Sequence, residues 1–106
     1  MHYVNPQDWL QNHVTEGITN LNIQFARVYY VTATNGLRVR ADHRKSAQQV
    51  GSLLYGARIF LEDSDTVTED SLIWARISGG PYNSDWVAMG PEDKSEMYVS
   101  RFAPGM

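Results

Sequence analysis

Between residues 28 and 102 the chain consists of short runs of alternating apolar and polar residues, each closed by a turn signal. Side chains of a strand point to opposite faces in turn, so such a run buries one face at period two, a period a helix does not match. Leu37 and Val39 alternate with Arg38 and Arg40 directly after Asn35-Gly36, a strong hairpin dipeptide. Ile59 and Leu61 alternate with Arg58 and Phe60 after Gly56. Val28 to Ala33 is dense in β-branched and aromatic residues, as strands are. Val50 and Leu53 flank Gly51, Ile73 to Ile77 reads as a strand, and so do Trp86-Val87 and Met97 to Phe102. Gly79-Gly80-Pro81 and Gly90-Pro91 separate the last three. Residues 41–48 read as a polar loop and 62–71 as an acidic, solvated one. Short strands at this spacing imply an all-β fold, a small barrel or a sandwich.

At 106 residues the chain has room for one hydrophobic core. The alternation assigns that core to Val31, Leu37, Val39, Val50, Leu53, Ile59, Leu61, Ile77 and Val87. Residues 1–27 form an extension of different character. Asn5-Pro6 reads as a helix start and Gly17 as its stop, and Leu21, Ile23 and Phe25 then alternate as in a strand. With Trp9, Leu10, Val14 and Ile18 added, residues 5–25 are apolar enough to be expected to dock on the domain.

The nine Lys and Arg against twelve Asp and Glu leave a net charge of −3, which argues against nucleic acid as a partner. The absence of cysteine excludes disulfides, a thiol nucleophile and thiolate metal sites. No apolar run approaches the ~20 residues of a membrane-crossing helix, and no signal peptide is visible at the N-terminus. His2, His13 and His43 share no metal-ligand spacing. Asp63-x-Asp65 opens like a calcium loop, but Thr68 stands where the sharp turn needs glycine. No nucleophile elbow is present, and nearly every acid lies in a polar stretch rather than an apolar cleft that would raise its pKa. The expectation is a protein that is not an enzyme and uses no cofactor or metal.

Five pieces in order, Gly36-Leu37-Arg38-Val39-Arg40, Val50-Gly51-Ser52-Leu53, Gly56-Ala57-Arg58-Ile59, Trp74-Ala75-Arg76-Ile77 and Asp85-Trp86-Val87, resemble the bacterial Src-homology-3 (SH3b-type) domain. The resemblance spans residues 29 to 101. It implies a small, strongly bent SH3-like β-barrel over residues 28–102; residues 1–27 lie outside it, as an N-terminal extension or a linker with the short helix and strand read above. It also implies a binding module that recognises a cell-wall (peptidoglycan) peptide or glycan, targets a larger protein and resides in the cell envelope or outside the cell. The alternative is a protein–protein interaction or assembly module with no wall ligand, binding a peptide segment of another protein or a second copy of itself. The charged loop Ala41-Asp42-His43-Arg44-Lys45-Ser46 departs from the small loop usual in that family, and segments 62–71 and 78–85 are longer than its minimum.

Two groups of residues are candidates for binding. Trp74, Tyr82, Trp86 and Tyr98 are candidates to converge on one groove, because aromatic faces suit sugar rings and peptides; the alternative is core or rim packing, the reading favoured for Trp86. Arg40 and Asp42 are expected on its rim, with Trp74 as an accessible contact anchor. Arg38, Arg40, His43, Arg44 and Lys45 concentrate positive charge that a carboxylate or phosphate would meet.

Overall fold

The computed structural model describes residues 26–105. The helix expected from Asn5 to Gly17, the strand at 21–25 and the docking of the extension lie outside them. The described residues are all β and contain no helix. Seven strands form one antiparallel sheet: β1 Arg27–Val31, β2 Leu37–Arg40, β3 Gln49–Leu53, β4 Arg58–Glu69, β5 Leu72–Ile77, β6 Trp86–Pro91 and β7 Val99–Ser100. Their order across the sheet is β3-β2-β6-β5-β4-β1-β7, so among the described residues backbone pairing does not close the sheet and β3 and β7 are its edges.

The sheet nevertheless curls. Laid flat, β1 and β2 would stand four strand spacings apart, about 19 Å at ~4.8 Å each. Only Thr32–Gly36 joins them, and that link reaches about 20 Å only when fully extended. It is instead folded into a turn, closed by the Gly36 N–H donating to the Ala33 carbonyl at 3.0 Å. Gly36 sits at φ +86°, and a Cβ there would approach the Leu53 carbonyl oxygen to 2.7 Å, so the tight turn requires glycine. Curling brings Val31 of β1, Leu37 and Val39 of β2 and Val99 of β7 into one cluster with Ile59, Leu61, Ile77 and Val87.

Seven of the nine expected core residues are buried there, joined by Ala75, Met89 and Val99. Leu53 is half-buried against the cluster. Val50 is a correction: it is 39% exposed. The reason is a bulge. Val39 pairs with Gly51 and Arg40 with Gln49, so Val50 has no partner opposite and turns outward. Gly51 takes the core-side position opposite Val39, and the Tyr82 ring fills the space its missing side chain leaves.

The expected acidic loop at 62–71 is also corrected. Residues 62–69 lie within β4, which runs to Glu69 and pairs with β5 as Val67↔Trp74, Thr68↔Ile73 and Glu69↔Leu72, and only Asp70 and Ser71 are left as a turn. The β-branched Thr66, Val67 and Thr68 suit a strand. The acids gather where the register breaks between Glu62 and Val67, and residues 63–66 there stand against Ala75 alone. Asp63, at that break, accepts the Tyr29 hydroxyl at 2.6 Å and lies 3.5 Å from the Arg27 guanidinium. Strand lengths differ elsewhere as well. β6 is six residues rather than two, and the expected strand 97–102 is paired only at Val99–Ser100.

Candidate functional site

Strands β5 and β6 are buried on both faces. Ala75, Ile77, Val87 and Met89 enter the main core, while Trp74, Trp86 and Ala88 point to the outer face and form a second cluster with Val67, Leu72 and Tyr98. Period two thus operates twice on the same strands, once for each face. Trp74 is 2% exposed, and its indole N–H donates to the Glu69 carbonyl at 2.9 Å. This corrects the expectation of an accessible anchor: Trp74 is packing, with only its groove-side edge reached from outside. Trp86 is 8% exposed, between the Arg76 guanidinium, 4.8 Å from its ring centre, and the His43 ring, edge-on at 4.9 Å.

The loop after β2 straps itself onto this outer face. Ala41 N–H donates to the Gln48 carbonyl at 2.9 Å and closes the loop. Its side chains then reach the tip of the β4–β5 hairpin. His43 Nδ1 lies 2.6 Å from Glu69 Oε1, and Arg44 Nε lies 3.4 Å from Glu69 Oε2. The Lys45 backbone N–H donates to Asp70 at 2.8 Å. Asp42 accepts the His43 backbone N–H and an Arg44 Nη1 hydrogen bond, both at 2.8 Å. The His43 backbone N–H, aided by the nearby Arg44 and His43 charges, holds the Asp42 carboxyl below the usual carboxylate range. The hairpin tip itself is a two-residue turn in which Asp70 and Ser71 adopt φ of 58° and 62°.

Beside the strap an open groove of about 630 Å³ follows from the sheet geometry. β2 pairs with β6 only at Arg40↔Trp86. Beyond that pair the two strands separate, and the groove lies between Arg38 on one bank and Leu72, Trp74, Ala88 and Tyr98 on the other. Among the described residues, β2 from Arg38 to Leu37 then has a ladder partner on the β3 side alone. Tyr98 is fixed at the groove by its backbone, whose N–H donates to the Met89 carbonyl and whose carbonyl accepts Thr32 N–H, both at 2.8 Å.

Of the six residues singled out from sequence, Arg40, Trp74 and Tyr98 line this groove. Tyr82 does not. It faces the main core over Gly51, because Gly79-Gly80-Pro81 carries it to the other side of β3. Trp86 lies beneath His43 and Asp42 belongs to the strap. Arg38 and Lys45, noted only as part of a basic cluster, line the groove. Leu72 and Ala88 were missed, although Leu72-x-Trp74 and Trp86-x-Ala88 carry a legible period-two signal for an apolar outer face. Among the described residues no group of three or more His, Asp or Glu converges to hold a metal ion. Comparison with protein families, with curated proteins and with solved structures finds no match to the chain.

Proposed function

We propose that the chain is a non-catalytic, SH3-like binding module that holds an extended cell-wall peptide in the groove between β2 and β6 and so tethers a larger protein. The SH3-like part of this reading rests on the order of the five sequence pieces and on the curl of the sheet around a single core. The single observation that carries the binding function is the parting of β2 from β6 after Arg40↔Trp86. A strand edge without a ladder partner accepts an added extended segment, and apolar side chains of that segment meet the bank formed by Trp74, Ala88 and Tyr98. A pleated peptide fits such an edge better than a sugar ring, which has no run of amides to pair. The non-catalytic reading is supported by His43, Asp42 and Glu69, which spend their polar atoms on one another and on Arg44.

For a shallow groove of this size the affinity is expected in the micromolar to millimolar range, about −4 to −8 kcal/mol. The test pairs sedimentation of the chain with purified cell wall and amide and indole shift mapping with soluble wall peptides. Co-sedimentation, with shifts at Arg38, Ala88 and the Trp74 indole, is the expected result. No sedimentation, or shifts confined to residues away from the groove, overturns the proposal.

A further inference from the structure

We infer that the peptide recognised in this groove is anionic, and that Arg38 and Lys45 read its free carboxylates. This deepens the reading above and rests on it. The chain as a whole carries −3, yet Arg38, Arg40 and Lys45 line the groove and, among the described residues, no acid does. The reason lies in the strap. The acids of the strap and of the hairpin tip, Asp42, Glu69 and Asp70, are drawn to His43, Arg44 and the Lys45 backbone N–H. Lys45 thus anchors through its main chain and keeps its ammonium for the groove.

Among the described residues no carboxylate pairs with the Arg38 guanidinium or the Lys45 ammonium. Arg40 has less to offer, since its Nη1 donates to the Ala47 carbonyl at 3.0 Å. Arg38 is exposed on β2, paired across to Ser52 on the edge strand, so its planar fork stands at the groove bank without a competing acid opposite. A peptide running along β2 with a carboxylate near Arg38 and another toward Lys45 meets both cations, while its apolar atoms lie on Trp74 and Tyr98. Wall stem peptides supply such carboxylates, and amidation of those groups removes them.

The test measures binding of a soluble stem peptide with free carboxylates, its fully amidated counterpart, and a synthetic protein-like peptide with the same number of carboxylates. The intact chain, R38Q, K45Q and the control R58Q are compared. The free-carboxylate stem peptide is expected to bind at least about tenfold more tightly than the amidated one. R38Q and K45Q are each expected to weaken it severalfold and to flatten its dependence on salt, with R58Q unchanged. All three positions are exposed, and equal melting temperatures certify the folds. Equal binding of the amidated peptide, or undiminished binding by R38Q and K45Q, overturns the inference while leaving the groove as a peptide site. Tighter binding of the protein-like peptide overturns the wall as the source. No binding of any peptide, with no shift at the groove, overturns the proposed function itself.

Discussion

His43 Nδ1 lies 2.6 Å from Glu69 Oε1, across 26 residues of chain, and this contact joins the loop after β2 to the tip of the β4–β5 hairpin. Both side chains are about one-third exposed, so the contact contributes modestly as an ion pair and more as a positioning device. Glu69→Gln is expected to lower stability by about 0.5–1.5 kcal/mol in urea melts. Amide exchange in residues 41–47 should rise at the same time, because Arg44 also loses its contact with Glu69. Unchanged exchange in that loop would show that its own internal hydrogen bonds suffice.

Trp74 is expected to behave as a core residue. Trp74→Ala removes a side chain that is 2% exposed and should cost about 3–5 kcal/mol, close to the whole stability of a small domain. Trp74→Phe keeps a ring but loses the N–H donated to the Glu69 carbonyl, and about 1–2 kcal/mol is expected. Thermal melts that place Trp74→Ala within ~0.5 kcal/mol of the parent would return Trp74 to the surface.

Tyr29 gives the fold a signature at high pH. Burial, then the hydrogen bond to Asp63 and the Asp63 charge, push its phenol up to about 12, against smaller opposing effects of Arg101 and Arg27. Below about 10 the phenol is protonated in both folded and unfolded chains, and its contribution to stability is complete. Between about 10 and 12 the unfolded chain loses this proton more readily, so stability falls as pH rises through that window. Ultraviolet titration should find one tyrosine ionising near 12, and Tyr29→Phe should abolish that late step.

Gly51 and Tyr82 should be energetically coupled. A methyl group at position 51 overlaps the Tyr82 ring, so Gly51→Ala must displace that ring from the core face of β3. A loss of about 1–3 kcal/mol is expected for Gly51→Ala in the parent, and less in a Tyr82→Ala background. Additive losses in the double-mutant cycle would mean that the two groups do not share the space.

The strands around Leu37-Arg38-Val39 and Ile59-Leu61 were legible because each has one face in the core and one in solvent, the case that alternation describes best. Trp74 and Trp86 were ambiguous between groove and packing for the opposite reason. Their strands are buried on both faces, and alternation alone does not reveal that a loop from residues 41–47 covers the second face. The acidic composition of 62–71 masked a strand, because composition reports solvation of side chains and not the pairing of the backbone behind them. The basic cluster at 38–45 was visible as charge. Its division into groove-lining Arg38 and Lys45 and strap-forming His43 and Arg44 depends on Glu69, more than twenty residues downstream.

An open sheet has two ends, and each could template the next molecule in a fibre. Here one end is β7, two residues long, and the other is β3, interrupted by the unpaired Val50. Neither offers a straight run of amide groups for another strand to copy. The two-residue β7 and the broken register at Val50 thus disfavour strand addition at the two ends of the described sheet, while the stretch of β2 inside the groove stays open to an added segment.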